Sequence, residues 1–362
     1  EILFELAQIT GVYVPCFYQP VYKEDGMLAS ITAADGVPNM IKRRFVSDLD
    51  QYEAQTVVVT SDTEFKDLFL IEVARGCGRH CRFCMAGYCY RNPRVRSLEK
   101  LKAAITKAKE FRSKVGLMGA AISDYPAIDA LCKEVLEQGM NMSVASLRAD
   151  SLTDGLVQAL AVSKHKTITL APEAASMRLR RIINKSITDE HLYDAIQMAV
   201  HAGIPHIRLY IMIGLPFEEQ EDIEEIVTLA EKIKAYMESL GSKGKLTLSV
   251  NPFIPKPFTP FQWMSMPHIS AVESKLKFIS SNLRQKKNIE VLVDSPKESY
   301  IQAVFARGDR RLSAVLLEAH QRGGSKGFKQ AMKINGCTDE QYLYRGRDEQ
   351  HEVLPWGHLD MG

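Results

Sequence analysis

At 362 residues the chain can bury a sizeable core, as one large domain or as two. Hydrophobic residues at 46% and charged residues at 25% are ordinary for a soluble globular protein, and a formal net charge of +2 gives no electrostatic case for nucleic acid or a membrane surface. There is no run of about 18 uncharged apolar residues and no visible signal peptide, so no membrane partner is expected.

The chain opens on Glu1, and "EILFELAQIT" reads as an amphipathic helix already under way. The sequence is therefore expected to be a fragment, or a processed product, of something longer at its N-terminus. Residues 1–60 read as a lead-in from a missing N-terminal domain. After "SDTEFKDLFL" apolar runs alternate with helical patterns. Strands are expected at 68–74 (LFLIEVA), 115–121 (VGLMGAA), 142–147 (MSVASL), 166–171 (KTITLA), 206–214 (HIRLYIMIG) and 245–251 (KLTLSVN). Each is short and nearly continuously apolar, the pattern of a strand buried on both faces. Helical stretches lie between them: "TDEHLYDAIQMAVHAG" opens with Thr188 and Glu190 and closes on Gly203, a cap at each end. "EEQEDIEEIVTLAEKIKAYMESLG" is acidic first and basic later, in keeping with the helix dipole.

Six βα units in succession imply a parallel sheet, closed as a partial or full barrel or open as a doubly wound sheet. The core is expected over 61–265, and an α/β extension over 266–362. That extension carries a further strand candidate, "IEVLVD", and ends in "YLYRGRDEQHEVLPWGHLDMG", which has little periodicity and reads as a tail. In either architecture function gathers at the C-terminal ends of the strands.

The cysteine-rich stretch "RGCGRHCRFCMAGYCYR" directly follows the first strand and so falls at that edge. The chain has seven cysteines, an odd number, with four of them in this single cluster, which favours a reducing, cytoplasmic setting and a metal or redox site over a disulfide scaffold. Cys77, Cys81 and Cys84 have the spacing C-x3-C-x2-C, with Gly76 and Gly78 beside the first. Structural zinc takes four protein ligands, usually as two separated pairs, and no second pair follows; His80 or Cys89 would have to complete such a site. An iron–sulfur cubane normally takes four cysteines, so three leave one iron open to a ligand that is not protein.

C-x3-C-x-φ-C after the first strand of a βα array, with Phe83 as the aromatic φ, resembles the radical S-adenosylmethionine (SAM) superfamily. The resemblance implies a partial (β/α)6 TIM-like barrel and an iron–sulfur enzyme. It also implies that Cys77, Cys81 and Cys84 hold a [4Fe–4S] cluster whose fourth iron is chelated by SAM. Reductive cleavage of SAM then gives a 5′-deoxyadenosyl radical, with an electron donor of the flavodoxin or ferredoxin type. Further positions follow the resemblance. "LMGAAISDYP" stands in place of the glycine-rich motif, where Gly119 and Ala120 offer backbone carbonyls to the SAM ammonium; the usual acidic third residue is absent. Ser146 and Arg148 lie two apart on one face of an extended chain, and Arg148 suits the SAM carboxylate. Glu173 in "TLAPEAAS" resembles the acid that binds the ribose hydroxyls, and Gly214 and Leu215 in "IMIGLPFEE" the turn against adenine. Phe83 is placed between the cofactor and the barrel wall.

Plainer readings stand beside these. Arg148 and Asp150 make an ordinary surface ion pair, Glu173 starts a helix, "IGLP" is a helix-entry turn, and Cys89 is a bystander. "NPFIPKPFTPFQW" is either a substrate-facing wall or a plug at the barrel mouth. "RQKK" and "RGDRR" are solvated faces, the only support for an RNA partner.

Within the superfamily the chain most resembles uncharacterised bacterial proteins with an upstream cobalamin-binding domain. The stretches that carry this include "TLAPEAASMRLRRIINKSIT", "NPFIPKPFTPFQW", "SYIQAVFARGDRRLSAVL" and "LPWGHLDMG". No cobalamin domain lies inside the chain, so any cobalamin would be bound outside it. The resemblance implies methyl transfer assisted by cobalamin on an unidentified substrate. Methylthiotransferase-like or other RNA- or protein-modifying chemistry is the second reading, though the three further cysteines of methylthiotransferases are missing. A zinc-stabilised βα binding scaffold without catalysis is the third.

Overall fold

The computed structural model describes all 362 residues. Its frame is a run of parallel strands alternating with helices: β1 (Phe69–Glu72), α1 (Leu98–Ala108), β2 (Lys114–Met118), α2 (Ile128–Glu137), β3 (Asn141–Ser143) and α3 (Asp154–Val162). The second half continues with β4 (Thr167–Glu173), α4 (Asp189–His201), β5 (His206–Ile213), α5 (Gln220–Ser239), β6 (Leu246–Pro252), α6 (Ile269–Leu283) and β7 (Ile289–Val293). Strands β1, β2 and β3 pair in parallel, as do β4, β5, β6 and β7. One parallel bridge, Leu147 to Leu170, joins the two groups.

The order in space is thus the order in sequence, which separates a barrel from a doubly wound sheet, where the order reverses. β1 and β7 are not paired, so the barrel is partial and open. "IEVLVD" becomes β7 on the edge of the same sheet. A core of 48 buried residues fills the space between strands and helices, from Phe69 to Leu283.

Local signals explain the helix ends. Ser97 caps α1 by accepting from the Lys100 N–H, and Thr153 caps α3 through the Leu156 N–H. Thr188 caps α4 in a capping box whose second member is His191, not Glu190. Two sequence expectations need adjustment. β3 is short: Val144 to Ser146 leave the ladder before Leu147 rejoins it, and the Ser163 hydroxyl takes the Met142 N–H. β5 is not buried on both faces. Ile207, Leu209, Ile211 and Ile213 face the helices, while Arg208, Tyr210 and Met212 face a half-open lumen.

The lead-in and the final residues meet. A hairpin (Tyr18–Tyr22 with Leu28–Ala33) precedes the barrel, and Leu359–Asp360 pairs with Ile41–Lys42. His358 packs between Tyr13 and Tyr18, with ring centroids 4.9 and 5.3 Å away. The weak periodicity of the last stretch reflects pairing by single contacts rather than helix or sheet faces. "RGDRR" is likewise not a solvated face. Arg307 is buried and donates to the carbonyls of Met264, Tyr342 and Arg345; Arg310 donates to the Tyr18 carbonyl; and Arg311 lies over the Tyr22 ring at 3.9 Å. Arg310 and Arg311 thus fasten the extension to the lead-in, while Arg307 ties the extension to itself and to the end of the barrel. No helix is long and apolar enough to cross a membrane.

Candidate active site at the barrel mouth

The cysteine loop leaves β1 and is held from three sides. Gly76 has φ +91°, and a Cβ there would lie 2.0 Å from the Tyr90 carbonyl oxygen, so only glycine lets the loop close on itself. From beyond β4, the Asn184 amide donates to the His80 carbonyl at 2.9 Å, and the Arg82 N–H donates to the Ile183 carbonyl at 2.9 Å. From beyond β6, the Phe261 N–H donates to the Arg82 carbonyl at 3.2 Å. Phe83 packs with a small apolar cluster of Ala174, Leu179, Ile183, Leu215, Phe253 and Phe261. Of the aromatics in "NPFIPKPFTPFQW", Phe253 and Phe261 are therefore packing groups. Phe258 is half-buried near Trp356.

Cys81 is buried, Cys77 and Cys84 are half-buried, and all three are free thiols. Burial pushes Cys81 up from the usual thiol range, opposed by the charges of Lys185 and Arg148. Burial also raises Cys84, opposed by the Ala86 N–H that points at its sulfur. Cys89 is buried in the helical turn Ala86–Cys89. His80 is half-turned away, with Nδ1 at 3.1 Å from the Gly87 carbonyl oxygen.

No three His, Cys, Asp or Glu side chains converge at the spacing one ion needs. The donor set fits a group that takes each sulfur at a separate metal atom. It offers three uncommitted thiols, one buried and two half-buried, with the cations of Lys185 and Arg148 and the Ala86 N–H beside them.

Around the loop, charged side chains form one connected network. Arg79, inside the cysteine loop, clasps Asp124 at 2.8 and 2.6 Å and reaches Asp150 at 3.4 Å. Arg148 clasps the same Asp150 at 2.9 and 2.7 Å and donates to the Ser186 hydroxyl at 3.2 Å. Both side chains of the Arg148–Asp150 pair are over 90% buried, so it is not a surface ion pair. Nη1 of Arg148 makes no hydrogen bond; the rest of its fork is occupied. Lys185 is buried with Nζ 3.4 Å from Oε1 of Glu173.

Glu173 ends β4 with φ +68° and does not begin a helix; the next helix, Met177–Ile182, is capped by Ser176. Burial raises the Glu173 carboxyl above its ordinary range, against the pull of Lys185 and Arg148. Gly214 has φ +75°, and the N–H groups of Gly214 and Leu215 point at the Glu218 carboxylate, which Lys275 also pairs. Gly119 lies against the Ala74 carbonyl, Ala120 is exposed beside it, and Ser146 is exposed at the end of the β3 segment. The structure thus gathers Cys81, Cys84, Arg148 and Glu173 around Lys185. It sets Gly214 and Leu215 on the neighbouring strand end, next to Phe83.

Sequence reasoning missed Arg79, Lys185, Asp124 and Glu218 as members of this edge, and placed Asp150 beside Arg148 only as a surface ion pair. Arg79 stands between two of the cysteines, and Lys185 follows the Asn184 that ties the loop, so position alone marks them. Cavity size does not locate the site: a larger cleft of about 520 Å³ lies instead between the Ser176–Arg178 turn and the start of α5.

Residues 71–230 match the family model described as the radical SAM superfamily. An uncharacterised protein of Methanocaldococcus jannaschii is 39% identical over 250 residues, 68% of this chain and 54% of the relative. A tRNA-2-methylthio-N(6)-dimethylallyladenosine synthase of Natranaerobius thermophilus is 25% identical over 45% of this chain and 39% of its own. An uncharacterised methyltransferase of Pyrococcus horikoshii is 24% identical over 59% and 46%. The chain spans about half the length of the curated relatives it matches. Among solved structures, SuiB of Streptococcus suis bound to S-adenosylmethionine superposes with TM-score 0.45 and 16% identity, over 63% of this chain and 52% of that one.

Proposed function

The chain belongs to the radical SAM superfamily of iron–sulfur enzymes, and from that premise we propose that Cys77, Cys81 and Cys84 hold the cluster and that the barrel lumen receives the substrate. When bound, a [4Fe–4S] cluster supplies the electron that splits SAM into methionine and a 5′-deoxyadenosyl radical. The observation that carries the assignment is the cysteine loop itself, three free thiols clamped at the C-terminal edge of a sequential parallel barrel.

The protein's own residues do the rest. The cations of Lys185 and Arg148 favour the thiolate form of Cys81, and the Ala86 N–H does so at Cys84. The carbonyls of Gly119 and Ala120 accept from the SAM ammonium. Lys185, together with the free Nη1 of Arg148, faces the SAM carboxylate. Glu173 accepts from the ribose hydroxyls, while Gly214 and Leu215 support the adenine, their own N–H groups being taken by Glu218. Phe83, Phe253 and Phe261 exclude water from this edge.

The reaction we favour is methyl transfer with cobalamin bound outside this chain, in a cytoplasmic setting and with a flavodoxin- or ferredoxin-type donor. The methyltransferase relative supports the reaction class. The test is anaerobic reconstitution with iron and sulfide, then addition of SAM and a reductant. About four irons per chain, broad visible absorbance and formation of 5′-deoxyadenosine are expected. Each of Cys77→Ala, Cys81→Ala and Cys84→Ala should lose all three. Protein that takes up one zinc and no iron would overturn the reading.

A further inference from the structure

Charged groups at the mouth of the barrel are paired with one another: Arg79 with Asp124 and Asp150, Arg148 with Asp150, Lys185 with Glu173. Deeper in the lumen one is not. Arg208 lies on the lumen face of β5, level with Thr169 of β4 and Thr247 of β6. It makes no salt bridge or hydrogen bond, and its Nε is fully buried without a partner. Two residues up the same face, half-exposed Tyr210 is level with Ser249; four residues up, Met212 is level with Asn251 and packs on the apolar cluster at the mouth. The nearest carboxylate in register, Glu290 of β7, is already held by Lys245 at 3.1 Å, with the Thr247 hydroxyl at 3.5 Å.

Keeping an unpaired guanidinium half out of water costs stability, and a fold tolerates that where a ligand supplies the missing partner. A guanidinium flanked by hydroxyls offers forked donors matched to a carboxylate or a phosphate. We infer that the lumen around Arg208 binds an anionic group of the substrate, a carboxylate or a phosphate. The Tyr210 hydroxyl is the next polar contact above it, and Met212 forms the apolar passage to the SAM site. Along β5 the step from Arg208 to Met212 is about 13 Å. The substrate is therefore an elongated molecule with its anionic end deep and its reacting carbon near the mouth. This inference rests on the barrel mouth being the SAM site.

Reconstituted protein with SAM present is treated with phenylglyoxal, which modifies accessible arginines, and the modified positions are mapped by peptide mass spectrometry. The labelling is repeated with inorganic phosphate or with acetate at constant ionic strength, and binding of each anion is followed by calorimetry. Arg208 should be labelled, and one or both anions should slow that labelling roughly tenfold. Phosphate alone assigns a phosphorylated substrate and acetate alone a carboxylate, while protection by both leaves the anion site intact and general. Arg208→Gln should abolish saturable binding and Arg208→Lys should retain part of it, with circular dichroism checking that both variants fold. Labelling of Arg208 that neither anion slows, or anion binding unchanged in Arg208→Gln, overturns the inference. Formation of 5′-deoxyadenosine by the unmodified protein, assayed in the same preparation, reports separately on whether the SAM site is real.

Discussion

Asp150 is the residue on which two arginines depend. Burial pushes its carboxyl up, but the hydrogen bonds and charges of Arg148 and Arg79 outweigh this and hold it below the ordinary range. Asp124 behaves the same way: burial raises it, and Arg79 more than compensates. The sign of the consequence follows. These carboxylates contribute stability that is full above the unfolded carboxylate pKa of about 3.9 and is lost as pH falls through their lower folded values. Melting temperature followed through an acid titration should therefore drop below about pH 4, and Arg79→Ala should flatten that drop. Removing Asp150 is harsher, because Arg148 is then buried without a counter-charge. Asp150→Ala should cost about 3–5 kcal/mol in chemical denaturation, and Arg148→Met with it should recover part of the loss. Glu173 has the opposite sign. Burial lifts its carboxyl, so the ionised form, which we propose accepts the ribose hydroxyls, is lost at higher pH than for an ordinary glutamate. SAM affinity should fall as pH drops toward that raised value, with Glu173→Gln weaker throughout and flat with pH.

Strands and loops show how much of this was readable beforehand. All six expected strands exist because β-branched and aliphatic runs of that length, bounded by turn residues, have no better use than a parallel sheet. The position of the cysteine motif placed its loop at the C-terminal edge of the barrel, since a loop after the first strand can lie nowhere else. The pairings were not readable. Arg79 to Asp124 and Arg148 to Ser186 join residues 45 and 38 positions apart, and only the closure of the barrel brings them together. The lumen face of β5 was also hidden, because tyrosine and methionine blur an alternation that burial makes plain. Loop glycines gave half their meaning in sequence and half in space. A Cβ on Gly214 would lie 2.5 Å from Cγ of Pro267, at a φ of +75° that side chains resist. Gly214→Ala should destabilise by about 1–3 kcal/mol and weaken SAM binding, read by thermal denaturation and equilibrium dialysis.

Across the whole molecule the seven thiols sort by environment, which alkylation of metal-free native protein should reveal. Cys16 is exposed and should react first, with half-buried Cys77 and Cys84 following. Cys132, buried within α2 and pushed up to about 12 by that burial, should react only on unfolding. The extension has its own keystone. Glu352 takes a two-pronged contact from Arg345, at 2.7 Å twice, and lies 3.6 Å from Arg347, with buried Arg307 donating to the backbone of the same segment. Glu352→Gln should loosen this segment, seen as faster amide exchange over residues 340–360 with the barrel unchanged. The pairing of Leu359–Asp360 with Ile41–Lys42 sets a timetable for the molecule's birth. The hairpin and its aromatic rings emerge early from a ribosome, yet the strand that covers them is made more than 300 residues later. At ordinary rates of synthesis that is a wait on the order of tens of seconds, during which the barrel has time to fold. The lead-in is thus the last part of this segment to find its place, and Tyr13 and Tyr18 are open to a chaperone or a protease until it does.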